Sequence, residues 1–399
     1  VGFGDSMGFL TSVTIGRDLA TNATNHFLYV NLVAAFSQFL PSGSLFGNSV
    51  LFSIICSVIT IYIVYKTALL ISANNSVSLS AAVMLALSFT YWRQTEIIEV
   101  YTCNNMFFTG MLYFVTKDIY SGENRNQLPV TMFYGIALLV HIQNILLIPF
   151  YLIYLWQVSG KNYLKILVNL IVLGLVSSVL IIIPLVWKTN SVISVFFDDN
   201  FQDKATEIQL TVVLKGLLKS IGYFLYNFHL WTFFILHGIY LLFRKNKQYF
   251  ILLVIAAVPF WGFACRYDVP DNYVFFQQAY ICMVIASVFS LQYWLCKFTA
   301  LKLLPFITIL CFPLFYWITW NFSLKVKELD DLNRQKAYKG GLKYLLWPGM
   351  RANGGDLLKI SKEIYSSGIK PESFREFEWN YNIAVNYLEL TGQLPDKKY

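Results

Sequence analysis

Residues 49–71 read SVLFSIICSVITIYIVYKTALLI, a run whose one charge is Lys66. A helix of that length spans about 35 Å, enough to cross the ~30 Å hydrocarbon core of a bilayer. The run lacks the period-two alternation of a barrel strand. Similar runs follow at roughly 77–92, 102–117, 129–141, 143–158, 166–187, 228–243, 248–264, 273–296 and 303–321. The third to fifth are short enough to be tilted, partly re-entrant or packed inside a bundle, and 129–158 also reads as one long kinked helix. Ten membrane segments are therefore expected. The composition agrees: 57% hydrophobic and 13% charged, with a mean hydropathy of +0.55. Soluble domains carry about 25% charged residues. The fold class is all-α, a polytopic helical membrane bundle. No nucleic-acid partner is expected.

The cysteines at 56, 103, 265, 282, 296 and 311 are scattered, mostly within apolar runs, and form no CxxC pair. Zinc and disulfide frameworks are not indicated, and buried thiols acting as small hydrophobes are expected. The opening Val1-Gly2-Phe3-Gly4-Asp5 carries no signal peptide, and one membrane helix is expected ahead of it.

Charge sets the orientation. Lys117, Arg125, Lys161, Lys165, Arg244, Lys245, Lys247, Lys297 and Lys302 fall on one set of loops, with only Asp118 and Glu123 as acids. By the positive-inside rule that side is cytoplasmic. Asp5, Asp18, Glu96, Glu99, Asp198, Asp199, Asp203, Glu207, Asp268 and Asp271 share the other, extracytoplasmic side. There, Phe27 to Leu40 reads as an interfacial amphipathic helix with Leu28, Leu32, Ala35, Phe36 and Phe39 on one face. The loop 188–227 holds a second amphipathic stretch, Ile208 to Phe224, bringing Lys215 and Lys219 together at i, i+4. From about 322 charges become frequent, and residues 322–399 read as a small soluble helical tail. Within it a helix is expected from Pro371 to Leu390.

Carboxylates at the edge of a bilayer are costly unless solvated, paired or used. The outer face gathers Asp5 and Ser6, Arg17, His26, Arg93, Glu99, Tyr101, Asn104, Asn105, His141, Arg266, Asp268, Asp271 and Tyr273. Arginine holds phosphate through paired hydrogen bonds, and aromatic faces suit sugar rings or prenyl chains. A carboxylate can take the proton of an acceptor hydroxyl. Bland readings stand beside these. Arg93 can be an ion pair with Glu96, Tyr91, Trp92 and Tyr101 belt anchors, and His26 and His141 structural groups. No histidine spacing favours a metal.

The motifs in order are Gly4-Asp5-Ser6, Thr24-Asn25-His26-Phe27-Leu28-Tyr29, Glu99-Val100-Tyr101-x-x-Asn104-Asn105, Gly135 with His141, and Asp268-x-x-Asp271-x-Tyr273-x-Phe275-Phe276. Over roughly residues 2–290 they resemble bacterial relatives of the vertebrate transmembrane O-mannosyltransferase that modifies plexin-type ectodomains, within the GT-C superfamily. Many relatives carry His-Pro-Pro-Gly-Tyr-Pro in the first loop, where this chain has Ala23 to Tyr29.

The resemblance implies a membrane domain over 1–321 and an inverting glycosyltransferase. It implies a polyprenyl-phosphate sugar as donor, mannose or another hexose, and a hydroxyl acceptor on protein Ser/Thr or a glycan. Asp5 takes the place of the catalytic base and Glu99 is its partner; the remaining outer residues are candidates for substrate binding. No metal is assigned. The implied location is a bacterial inner membrane with the site facing the periplasm. A transporter or flippase of a lipid-linked or polar substrate, and an inactive scaffold with a partner-binding tail, are the competing readings. A transporter should show inverted repeats or interrupted helices at the midplane, and no such repeat is evident.

Overall fold

The computed structural model describes residues 5–15, 26–40, 43–160, 162–182, 209–269, 271–349, 356–372 and 374–396. Those residues form helices and turns, with no strand among them. Seven of the described helical runs are long and apolar enough to cross a membrane. The chain is an all-α polytopic membrane protein.

Helices α1 (Ser6–Ile15) and α2 (Phe27–Gln38) precede the first long helix, α3 (Leu45–Ser72). Ser44 starts α3 by accepting from the Gly47 amide, and Ala73 ends it in the left-handed region. Such terminal hydrogen bonds satisfy backbone groups that an apolar run cannot. α4 (Asn75–Leu87) returns and stops at Ser88, whose backbone is extended, before the short α5 (Phe89–Thr95). The expected segment 77–92 is thus broken in two. α6 (Val100–Ser121) and α7 (Gln127–Val140) follow.

A single kinked helix over 129–158 is not what forms. His141 is extended, a 3-10 turn covers Ile142–Leu147, and α8 (Ile148–Ser159) runs back along α7. The Thr131 and Tyr151 hydroxyls are hydrogen-bonded at 2.7 Å, and Tyr134 lies 5.0 Å from Tyr151. α4, α6 and α7 are not among the seven long apolar runs. They are interior helices: Ala81, Met84, Phe108, Met111 and Tyr134 are all essentially inaccessible.

α9 (Tyr163–Ser177) is followed, among described residues, by α10 (Leu210–Phe228) and α11 (Thr232–Lys245), joined through a 3-10 turn at His229–Trp231. The amphipathic stretch is therefore the first half of a long bent rod. α12 (Lys247–Arg266), a 3-10 turn (Asn272–Phe276), α13 (Gln277–Lys297) and α14 (Leu304–Ser323) complete the bundle. α13 is its axis, with Ala279 to Leu291 almost wholly buried apart from Met283. Small residues let helices meet backbone to backbone. A Cβ added at Gly216 would overlap the Cys265 carbonyl, and one at Gly238 the Ala286 carbonyl.

The expected helix after His26 forms as α2; it buries Tyr29, Val30, Val33 and Ala34 in the bundle and leaves Phe39, at the end of the Leu28–Phe39 stripe, exposed. One local expectation is corrected. The tail helix expected over 371–390 is shorter: a 3-10 turn at Phe374–Glu376 precedes α18 (Glu378–Leu390). α15 (Lys327–Gln335), α16 (Gly341–Leu346) and α17 (Leu357–Ser367) come before it. α18 packs on α1 and α16 packs on α14. The tail therefore sits at the Asp5 end of the bundle. Cys56, Cys103, Cys265 and Cys282 are buried thiols, while Cys296 is exposed.

Candidate active site

A cavity of about 1060 Å³ opens where the tail meets the bundle. Asp5 enters it from the start of α1, its carbonyl accepting from the Phe9 amide at 3.0 Å. Glu99 enters from the N-cap position of α6. Its side chain makes no capping hydrogen bond and lines the cavity.

Arg93 arrives on α5, which two bonds fix in place. The Thr90 amide donates to Asn227 of α10 at 2.8 Å, and the Tyr91 hydroxyl donates to the Ser57 carbonyl of α3 at 2.9 Å. Arg93 is 3% exposed. Its guanidinium donates to the Tyr344 carbonyl and is faced by Tyr344, Tyr273 and Phe89 at 4.1, 5.6 and 5.7 Å. Asp271 and Tyr273 come from the turn before α13, and Ser6 and Tyr101 complete the sequence-derived residues lining the cavity.

Electrostatics separates the carboxylates. Burial, with Asp271 adding like charge, lifts Asp5 from 3.8 to about 6. Burial, then Asp5 and Asp271, raises Glu99 well above its usual range. Burial also raises Asp271, with Arg93 opposing. Like charges in a shared, poorly solvated space disfavour simultaneous ionisation. At neutral pH Asp5 is largely ionised, and Glu99 is shifted further toward its protonated form than a free carboxyl would be. Asp5 is open to the cavity even though protein surrounds it.

The remaining sequence candidates lie elsewhere. Arg17 is outside the described residues. Asn104 accepts from Asn144 at 2.6 Å, and Asn105 donates to Gln277 at 2.7 Å, both deep in the bundle. They cross-link α6 to its neighbours and do not line the cavity. His26 and His141 stand ring to ring at 4.6 Å behind Tyr101, which is 5.7 Å from His141. Burial lowers His26 to about 4, keeping it neutral. Arg266 and Asp268 are also off the cavity wall; Asp268 is held by Lys219 at 2.7 Å and Lys215 at 3.8 Å. Of the arginines on the outer face, Arg93 lines the cavity and Arg266 does not.

The sequence reading missed one wall entirely. Lys219, Tyr223, Tyr226 and Asn227 of α10 line the cavity, as do Lys336, Lys339, Tyr344, Glu376, Trp379 and Asn380 of the tail. The α10 set had a signal, since 219, 223 and 227 share one helical face. The tail set had none, because its place depends on docking. Lys339 and Lys336 share Glu376 at 3.1 and 3.7 Å. Among the described residues no three His, Cys, Asp or Glu side chains converge on a metal-sized site.

Residues 26–187 match the dolichyl-phosphate-mannose-protein mannosyltransferase family. Together with the helical bundle, this match is consistent with a GT-C-type membrane glycosyltransferase. The match carries Arg93, Glu99 and Tyr101; Asp5, Asp271 and the tail lie outside it. The family supports dependence on a polyprenyl-phosphate-mannose donor in general terms. No curated relative matches the chain.

Proposed function

We propose that this glycosyltransferase moves mannose or a related hexose from a polyprenyl phosphate to an acceptor hydroxyl, on protein Ser/Thr or a glycan. Transfer takes place at the extracytoplasmic face, with inversion at the anomeric carbon. The observation that carries the reading is the meeting of Asp5 with Arg93 and Glu99 at one cavity, Asp5 coming from an element remote in sequence from the other two. The charge division between loops supports the sidedness.

In this mechanism Asp5 accepts the acceptor's hydroxyl proton as the oxygen attacks the anomeric carbon. The bond from that carbon to the phosphate oxygen breaks, and its electron pair leaves with the polyprenyl phosphate. No covalent sugar–enzyme intermediate forms. A base near pKa 6 is ionised at neutral pH yet still basic enough to take the developing proton. Arg93 meets the departing phosphate with a buried, always-charged donor set, worth more there than in water. Glu99 orients a sugar or acceptor hydroxyl. Tyr101, Tyr223 and Tyr273 give faces for the sugar and the first prenyl units.

The test is sugar transfer from radiolabelled polyprenyl-phosphate mannose by purified protein, comparing the unaltered chain with Asp5→Asn. Loss of transfer with donor binding retained is expected. Unchanged transfer by Asp5→Asn would remove Asp5 from the role of base.

A further inference from the structure

Arg93 raises a question that the transfer reaction leaves open. A guanidinium has five N–H donors, and this one is buried at the cavity wall. One donor goes to the main-chain carbonyl of Tyr344, a neutral acceptor supplied by the tail. A phosphate oxygen is a stronger, charge-assisted acceptor for the same group.

The segment supplying that carbonyl is short and held by few contacts. α16 is a single short helix, Gly341–Leu346, entered through two consecutive left-handed glycines, Gly340 at φ 94° and Gly341 at φ 59°. Other residues adopt that geometry at a cost, and a side chain at Gly341 would also meet Asn333. Pro348 and Gly349 follow at the far end. Asn333 holds the near end by accepting from the Leu342 amide at 2.7 Å. The far end is held to the bundle by the Tyr226 hydroxyl, which donates to the Leu346 carbonyl, and by Trp347 set edge-on to Trp92 at 5.9 Å. Tyr344, Leu345 and Leu346 line the cavity.

We propose that residues 341–347 form a donor-gated lid, in which the Tyr344 carbonyl occupies Arg93 until the donor's phosphate displaces it. The inference rests on the reading of Arg93 as the phosphate-binding group. In the empty enzyme the lid satisfies the buried cation and narrows the cavity. Phosphate binding takes the guanidinium, frees Tyr344 and releases the far end of α16, clearing a path for the acceptor. Donor then binds before acceptor.

The probe is undecaprenyl phosphate, added to the full chain in lipid nanodiscs. Hydrogen exchange of the 344–349 amides should quicken about tenfold on binding, as an opened segment exchanges faster than a docked one. Tyr226→Phe removes one lid anchor. A net hydrogen bond of ordinary strength then predicts about fivefold tighter apparent binding, because more of the protein is already open. Exchange that stays constant or slows while binding remains dependent on Arg93 would overturn the lid and leave the phosphate reading intact. Unchanged or weaker binding by Tyr226→Phe would also overturn it. Undecaprenyl phosphate binding Arg93→Gln as tightly as the unaltered chain would overturn the phosphate reading itself, and the lid with it.

Discussion

Replacing Asp5 by Asn separates catalysis from stability, because the two should move in opposite directions. Asn keeps the shape and hydrogen-bonding capacity of the side chain but cannot accept the proton. Loss of a general base costs about a hundredfold to ten-thousandfold in rate. The folded state holds the Asp5 proton up to about pH 6, against 3.8 for the free side chain. Folded protein therefore binds more protons across that window, and ionisation of Asp5 works against folding. The stability associated with the protonated form is fully present below pH 3.8 and is lost as pH rises through about 6. The full shift corresponds to about 3 kcal/mol, and screening of a side chain open to the cavity brings it to about 1 kcal/mol. Asp5→Asn should thus be more stable than the unaltered chain at pH 7.5 by about 1 kcal/mol, a gain that vanishes near pH 4. Transfer by the unaltered chain should climb with pH to half its maximum near 6, following Asp5. The assays are radiolabelled sugar transfer and thermal unfolding in detergent, each run between pH 4 and 8. A variant that loses activity and is also less stable at pH 7.5 would refute the reasoning, since Asp5 would then be a structural partner rather than an isolated base.

Other expectations follow from the same geometry. Glu99→Gln should lower turnover about tenfold without abolishing it. Burial favours the protonated form of Glu99 in the folded state, so the variant should be no less stable than the unaltered chain at neutral pH; a less stable variant would show Glu99 held as an ion. Gly216→Ala should cost about 1–3 kcal/mol, because the methyl has only the Cys265 backbone to displace. The measurement is thermal unfolding, and a variant of unaltered stability would mean α10 and α12 can slide apart freely. In a cysteine-free background, Ser367→Cys should react with an impermeant thiol reagent from the extracytoplasmic side. Glu123→Cys should react only from the cytoplasmic side, and labelling of both from one side would overturn the orientation.

The membrane class was legible because bilayer crossing is a one-dimensional requirement. A run such as 49–71 shows its length and apolarity without reference to any neighbour. Helix interruptions were less legible. The stop at Ser88 and the extended His141 are held by partners on other helices, including Asn227 for α5 and Asn104 through Asn144. The site divided in the same way. Asp5, Arg93, Glu99 and Asp271 stood out because charge beside apolar sequence needs a reason. Asn104, Asn105 and His141 drew attention as polar groups in the same setting, yet the fold uses them inside the bundle.

Local composition was enough for the helical membrane architecture, the separation of acidic from basic loops and a short list of charged residues flanking the apolar runs. Each is a property of local composition, which a bilayer sorts whatever the packing. Only the tertiary structure decided that Arg93 and not Arg266 faces the cavity, that α10 forms one wall, and that tail residues 336–346 and 376–380 close it. Those outcomes depend on helix rotation and docking. Both are set by contacts between residues hundreds of positions apart, as between Arg93 and Tyr344, and no local pattern encodes them.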